Sequence, residues 1–159
     1  MNIVYFANTE NPIYPFKDIE KALKKFNKVL NVNDSDFVME TLIEKANKSG
    51  LFLFHHGGVT TGNEYEFQLS SARLQTILQT IKCKKVFWFV DKVWGSSDVL
   101  MEQLVPLCDY VFLNDDTWVR RHKYPNVFPL HCGVGEKRPL GQFRKEYECD
   151  VAFIGKVYG

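Results

Sequence analysis

The chain lacks most of the features by which a sequence declares a partner. Its 159 residues carry 20 lysines and arginines against 19 aspartates and glutamates, a net charge of +1. Such a balance gives no general pull toward nucleic acid or an anionic membrane, so no nucleic-acid partner is expected. No apolar stretch approaches the length of a membrane span, and no basic segment followed by an apolar one opens the chain, so neither an integral membrane segment nor a signal peptide is expected. The four cysteines, Cys83, Cys108, Cys132 and Cys149, are widely spaced and form no C-x-x-C pair. They read as small buried thiols of a reducing compartment, which excludes zinc and a disulfide framework and points to a soluble cytoplasmic protein without a metal. Nor does a G-x-G-x-x-G follow the first apolar run, because Ala7-Asn8-Thr9-Glu10-Asn11-Pro12 occupies that turn. A nicotinamide-binding reading loses its main support, and no cofactor is expected. Internal repeats and low-complexity tracts are absent too.

What the chain does have is alternation. Short apolar runs at Asn2–Ala7, Val29–Val32, Leu51–Phe54, Val86–Val90, Tyr110–Leu113 and Val127–Leu130 read as strands. Between them lie amphipathic stretches of helical period. Pro15 stands near the first turn of one, with Phe16, Ile19, Leu23 and Phe26 on a shared face. In the next, over 35–48, Val38, Leu42 and Ala46 recur four apart until Ser49-Gly50 ends it. Ser70, Leu74, Ile77, Leu78 and Ile81 form a third stripe. Further helices are expected at Asp98–Leu107 and Thr117–His122. Six strands alternating with five helices predict an α/β, Rossmann-like fold with a mostly parallel sheet covered on both faces. The strand-to-helix loops, and with them any ligand, then belong to one edge of the sheet.

Composition also divides the chain. Gly133 to Glu148 is polar and contains Gly135, Pro139 and Gly141, after which Val151 resumes an apolar run. Residues 1–134 are therefore expected to form one domain, 135–149 a linker, and 150–159 the first strand and glycine-bearing loop of a truncated second α/β domain.

The strand ends carry a resemblance. Trp88-Phe89-Val90-Asp91, then Asp109-Tyr110-Val111-Phe112, then Asn126-Val127-Phe128-Pro129-Leu130-His131-Cys132-Gly133-Val134, then Asp150-Val151-Ala152-Phe153-Ile154-Gly155-Lys156-Val157-Tyr158-Gly159 follow in one order. The series resembles the GT-B glycosyltransferases, in particular the CgeB-like (spore-maturation-protein-like) enzymes, and covers Val86 to Gly159; the signal lies in order and spacing. The resemblance implies two Rossmann-like domains, with the hydroxyl acceptor on the N-terminal one and the nucleotide-sugar donor mainly on the C-terminal one. The isolated chain would then hold the acceptor side without a complete donor pocket and would be inactive alone, with Gly155 and Gly159 marking the start of the donor loop.

Within the first domain, His55-His56-Gly57-Gly58 is the most suggestive loop. An imidazole can take a proton near neutral pH, and glycines admit a sugar or phosphate close to backbone amides. His56 is the candidate base; His55, Gly57 and Gly58 are candidate acceptor contacts, the alternative for His55 being to continue the strand inward as a core residue while the glycines only turn the chain. Asp91, just past an apolar strand, is the second catalytic candidate, and Trp94 could stack on a sugar ring. Asp115 or Asp116 is expected to cap the short helix after the fifth strand, and Thr60, Thr61 and Asn63 to serve a turn and helix cap. Asp34-Ser35-Asp36 is a literal D-x-D, but it stands where a helix begins and is read as capping. A non-catalytic Rossmann-like module that binds a small ligand or partner at the same edge is the alternative to the transferase.

Overall fold

A computed structural model describes residues 1–10, 16–33, 37–55, 64–90 and 96–130, with the backbone alone for 64–70 and 96–97. The expected Ser35–Asp36 start of the second helix, the D-x-D, and everything from His131 onward, including the linker and the second-domain strand, lie outside the described residues.

Six strands form one sheet in the order β2-β1-β3-β4-β5-β6. They are β1 Asn2–Phe6, β2 Lys28–Val32, β3 Leu51–Phe54, β4 Lys84–Phe89, β5 Tyr110–Leu113 and β6 Val127–Pro129. Every pairing is parallel. The helices are α1 Phe16–Lys24, α2 Met39–Asn47, α3 Glu64–Thr80, α4 Ser96–Leu104, continued by a 3-10 turn Val105–Leu107, and α5 Asp116–His122. The Rossmann-like α/β fold read from the alternation is therefore the fold observed.

The two faces of the sheet are covered unequally. Alternate strand residues Val4, Phe6, Phe52, Phe54, Phe87, Phe89, Val111, Leu113 and Val127 pack against side chains of α2, α3, α4 and α5 in one continuous core. Their neighbours Ile3, Tyr5, Leu53, Val86 and Trp88 face the other way and meet α1 through Phe16, Ile19 and Leu23. Period-2 alternation in a sheet buried on both sides forces this division, since successive side chains must leave on opposite faces. Toward β5 and β6 no described helix covers the α1 face, and Tyr110 and Phe128 are exposed.

Two hydrophobic stripes end sooner than their spacing predicts. Phe26 lies past the end of α1, in a turn closed by Phe26 N–H to Leu23 O and Asn27 N–H to Leu23 O, and is 85% exposed. Val38 is the N-cap residue of α2 in an extended conformation and is also exposed, leaving Leu42 and Ala46 to bury that helix. A capping residue does not share the helical phase, so i,i+4 spacing across a helix boundary does not place two residues on one face. The cap expected at Asp115 is present: its Oδ1 accepts from Thr117 N–H and Trp118 N–H at 3.0 and 3.1 Å. At the opposite, amino edge of the sheet Asp109 ties β4 to β5, accepting from Lys84 Nζ at 2.7 Å and from Lys85 N–H at 2.9 Å. Burial opposes its charge, but these contacts outweigh it and hold the carboxyl below its usual range.

Candidate functional site

Parallel strands end together, so Phe6, Val32, Phe54, Phe89, Leu113 and Pro129 line one carboxyl edge. The chain leaves β1 toward β2 on one side and β3 toward β4 on the other. The order thus reverses between β1 and β3, and in open α/β sheets the crevice at that reversal is where ligands bind. Ala7, Asn8 and Thr9 follow β1 there, and His55 follows β3. The backbone is knitted across the gap: His55 N–H donates to Phe6 O at 3.1 Å and Ala7 N–H to Val32 O at 3.2 Å. Asn31 Nδ2 donates to Thr9 Oγ1 at 2.8 Å, which fixes the start of the β1 loop against β2. Farther along the edge Asn114 Nδ2 reaches Val90 O at 3.2 Å.

His55 is the sequence candidate that the described residues reach, and it is built into the α1 face of the core. It is 2% exposed. Its ring stacks on Phe16 at 4.5 Å, meets the edge of Tyr5 at 5.3 Å and tilts against Trp88 at 5.3 Å. The Tyr5 hydroxyl beside it donates to Phe16 O at 3.1 Å, pinning the first turn of α1. Burial and the nearby Glu20 charge push that phenol far above its usual range. His55 Nδ1 lies 2.7 Å from Trp88 O. A carbonyl only accepts, so Nδ1 must carry the proton. Burial pushes the imidazole down from the usual 6.5 to about 4, against the opposing pull of that hydrogen bond, so His55 is neutral at physiological pH and presents Nε2 as a bare lone pair. It is a fixed acceptor and not a proton switch near pH 7.

His56, Gly57, Gly58, Asp91 and Trp94, and the donor-loop pair Gly155 and Gly159, lie outside the described residues. The residues that sequence reasoning missed are Trp88, whose carbonyl orients His55, and the Asn31–Thr9 pair. Their partners are 33 and 22 positions away, and no local pattern marks them. Among the described residues no group of three or more His, Cys, Asp or Glu could hold a metal ion. Cys108 is buried and its thiol is pushed up to about 12, while partial burial raises Cys83, so neither is a nucleophile at neutral pH. No helix among the described residues is long and apolar enough to cross a membrane.

No protein-family model matches the sequence, and none of the curated proteins matches it significantly. Solved structures do match the fold. An alpha-glucosyltransferase in complex with UDP and a 13-mer DNA containing a central A:G mismatch superposes with a TM-score of 0.55 at 13% identity, over 81% of this chain and 40% of that one. An alpha-glucosyltransferase in complex with UDP and a 13-mer DNA containing a HMU base gives 0.54 at 12% identity, over 81% and 41%. The chain thus spans about two fifths of the length of the structures it matches. Both neighbours are DNA complexes, whereas the expectation of no nucleic-acid partner for this chain rests on net charge, and a near-neutral total says nothing of where charges cluster. At these identities the likeness establishes architecture alone: the chain shares with these glucosyltransferase structures a Rossmann-like α/β fold.

Proposed function

We propose that this chain forms the N-terminal, acceptor-side part of a GT-B glycosyltransferase of CgeB-like type, which transfers a sugar from a nucleotide-sugar donor to a hydroxyl acceptor. The observation that carries the reading is the match of 81% of the chain to UDP-bound alpha-glucosyltransferases, in agreement with the strand-end motifs. The sheet reversal between β1 and β3 supports an acceptor at the carboxyl edge, where Thr9, Asn31 and His55 stand.

His56 and Asp91 are the proposed acid-base pair. Each follows directly in the chain on a residue of this edge, His55 or Val90. One of them takes the proton of the acceptor oxygen as it attacks the anomeric carbon, and the other orients that hydroxyl. Gly57 and Gly58 let backbone amides approach the sugar, Trp94 stacks on it, and Gly155 to Gly159 opens the donor loop of the second domain. The departing nucleoside diphosphate is stabilised there by backbone amides. The acceptor is a hydroxyl borne by a sugar or by a nucleic acid, the second suggested by the DNA in the neighbours.

The test is nucleotide release from UDP-, GDP-, dTDP- and CMP-sugars, with methyl glucosides and hydroxymethyl-bearing oligonucleotides as acceptors, using the protein together with its donor-side domain. One donor is expected to be consumed only when an acceptor is present, and His56→Ala and Asp91→Asn are each expected to lower turnover by about a hundredfold or more while leaving thermal stability near wild type. Release from no donor, or near-wild-type rates in both variants, would favour a non-catalytic ligand-binding module. Residues 1–159 alone are expected to bind these donors weakly.

A further inference from the structure

The α1 face contains two buried hydrogen-bonding atoms without partners, and they are complementary. His55 Nε2 is one; Trp88 Nε1 is the other. The tautomer argument makes Nε2 an acceptor, because the ring proton is committed to Trp88 O, and an indole nitrogen can only donate. The two rings stand side by side on β3 and β4 with centres 5.3 Å apart and planes tilted by 45°. The β3–β4 register, with Phe54 opposite Phe87, brings the next residues, His55 and Trp88, level with each other. A buried donor or acceptor left unmatched costs stability, and here one of each is left on adjacent strands. A direct bond would cancel both defects, yet the rings do not make it. One oxygen that both donates and accepts would satisfy the two together.

We propose that His55 Nε2 and Trp88 Nε1 together hold one hydroxyl oxygen, which donates to the imidazole and accepts from the indole. The chemistry is that of a water molecule or of an alcohol on a polyol, and the same two atoms serve either source. Neither a carboxylate nor an ammonium fits: the first has no proton for Nε2, and the second has no lone pair for the indole. The site stands on geometry that requires no donor sugar and no turnover, so it survives or fails independently of the glycosyl-transfer reading.

The test is nuclear magnetic resonance on the 15N-labelled chain at neutral pH. His55 is expected as the neutral Nδ1–H tautomer, with the Nε2 resonance displaced from that of a free lone pair toward a hydrogen-bonded one. The Trp88 indole proton is expected to show a cross-relaxation peak to a long-lived bound water. If an alcohol is the occupant, titration with methyl α-glucopyranoside or glycerol will replace that peak by one to the polyol; persistence of the water peak identifies water as the source. Trp88→Phe keeps the ring and deletes the donor, and is expected to shift the Nε2 resonance back toward the free position. A proton on Nε2, an indole proton with neither peak, or an Nε2 resonance unmoved by Trp88→Phe would overturn the proposal, and the first two readouts need no variant.

Discussion

The two faces of the sheet differ in composition and, among the described residues, in what covers them. Against α2 to α5 the buried strand residues are phenylalanine, valine and leucine, with Lys85 at the amino edge reaching Ile81 O, and Phe54 and Phe87 stack in parallel at 4.6 Å without exposure. Against α1 they present Tyr5, Asn31, His55 and Trp88 among the aliphatics, and toward β5 and β6 Tyr110 is 47% exposed and Phe128 40%. Three of the buried polar atoms that lack a partner, Asn31 Oδ1, His55 Nε2 and Trp88 Nε1, belong to this second face. Polar groups in an apolar interior cost stability unless matched, so a fold that needs them is best served by placing them where few helices depend on the packing. Among the described residues four helices pack on the first face and one on the second, and the second holds the polar groups beside the sheet reversal.

The largest test of that division is truncation on each side. Phe87→Ala removes a fully buried ring stacked on Phe54 and close to Phe89, and is expected to cost about 3–5 kcal/mol in urea unfolding. Tyr110→Ala on the open part of the other face, where the ring meets only Phe128 at 6.3 Å among the described aromatic pairs, is expected to cost about 1 kcal/mol or less. Equal costs would end the distinction.

Acid sharpens it next. His55 has a folded pKa of about 4 against the usual 6.5, so between those values the unfolded chain binds a proton that the folded one refuses. Its contribution is complete above pH 6.5 and is lost as pH falls toward 4, a change of about 3 kcal/mol at the lower limit by linkage. Urea melts at pH 7, 5.5 and 4.5 should show the loss, and His55→Phe should flatten it. A pH dependence unchanged by the substitution would mean that other groups control acid unfolding. Smallest is the cap of α5. Asp115→Ala deprives Thr117 and Trp118 of their N–H acceptor and is expected to cost about 1 kcal/mol, with Trp118 fluorescence as a local reporter.

Much of this architecture was legible in the sequence, and for identifiable reasons. Leu51–Phe54 was readable to the residue because a short apolar run between helical stripes has one stable place, a doubly covered parallel strand, and Tyr110–Leu113 was readable by the same pattern although Tyr110 is exposed on one face. The stripe Leu74, Ile77, Leu78 and Ile81 is buried as its spacing requires. Phe26 and Val38 misled because periodicity does not reveal where a helix stops. The candidate site was legible in position but not in detail. His55 stands at the expected edge, yet whether it faced solvent or the core depended on Phe16 and Trp88, which no local pattern connects to it. The unequal covering of the faces was invisible for the same reason: it follows from strand order, and the order 2-1-3-4-5-6 is a property of long-range pairing.

The central claim is that an acceptor hydroxyl is taken at the carboxyl edge between β1 and β3. Backbone amide shift mapping of the 15N-labelled chain, titrated with whichever acceptor supports nucleotide release, tests it most directly. The account predicts that the largest perturbations cluster at Ala7, Asn8, Thr9, Asn31 and His55, with Gly50, Asp109 and the other amides of the opposite edge unmoved. Perturbations centred instead on Lys84, Lys85 and Asp109, or on Tyr110 and Phe128 alone, would place the ligand elsewhere and contradict it.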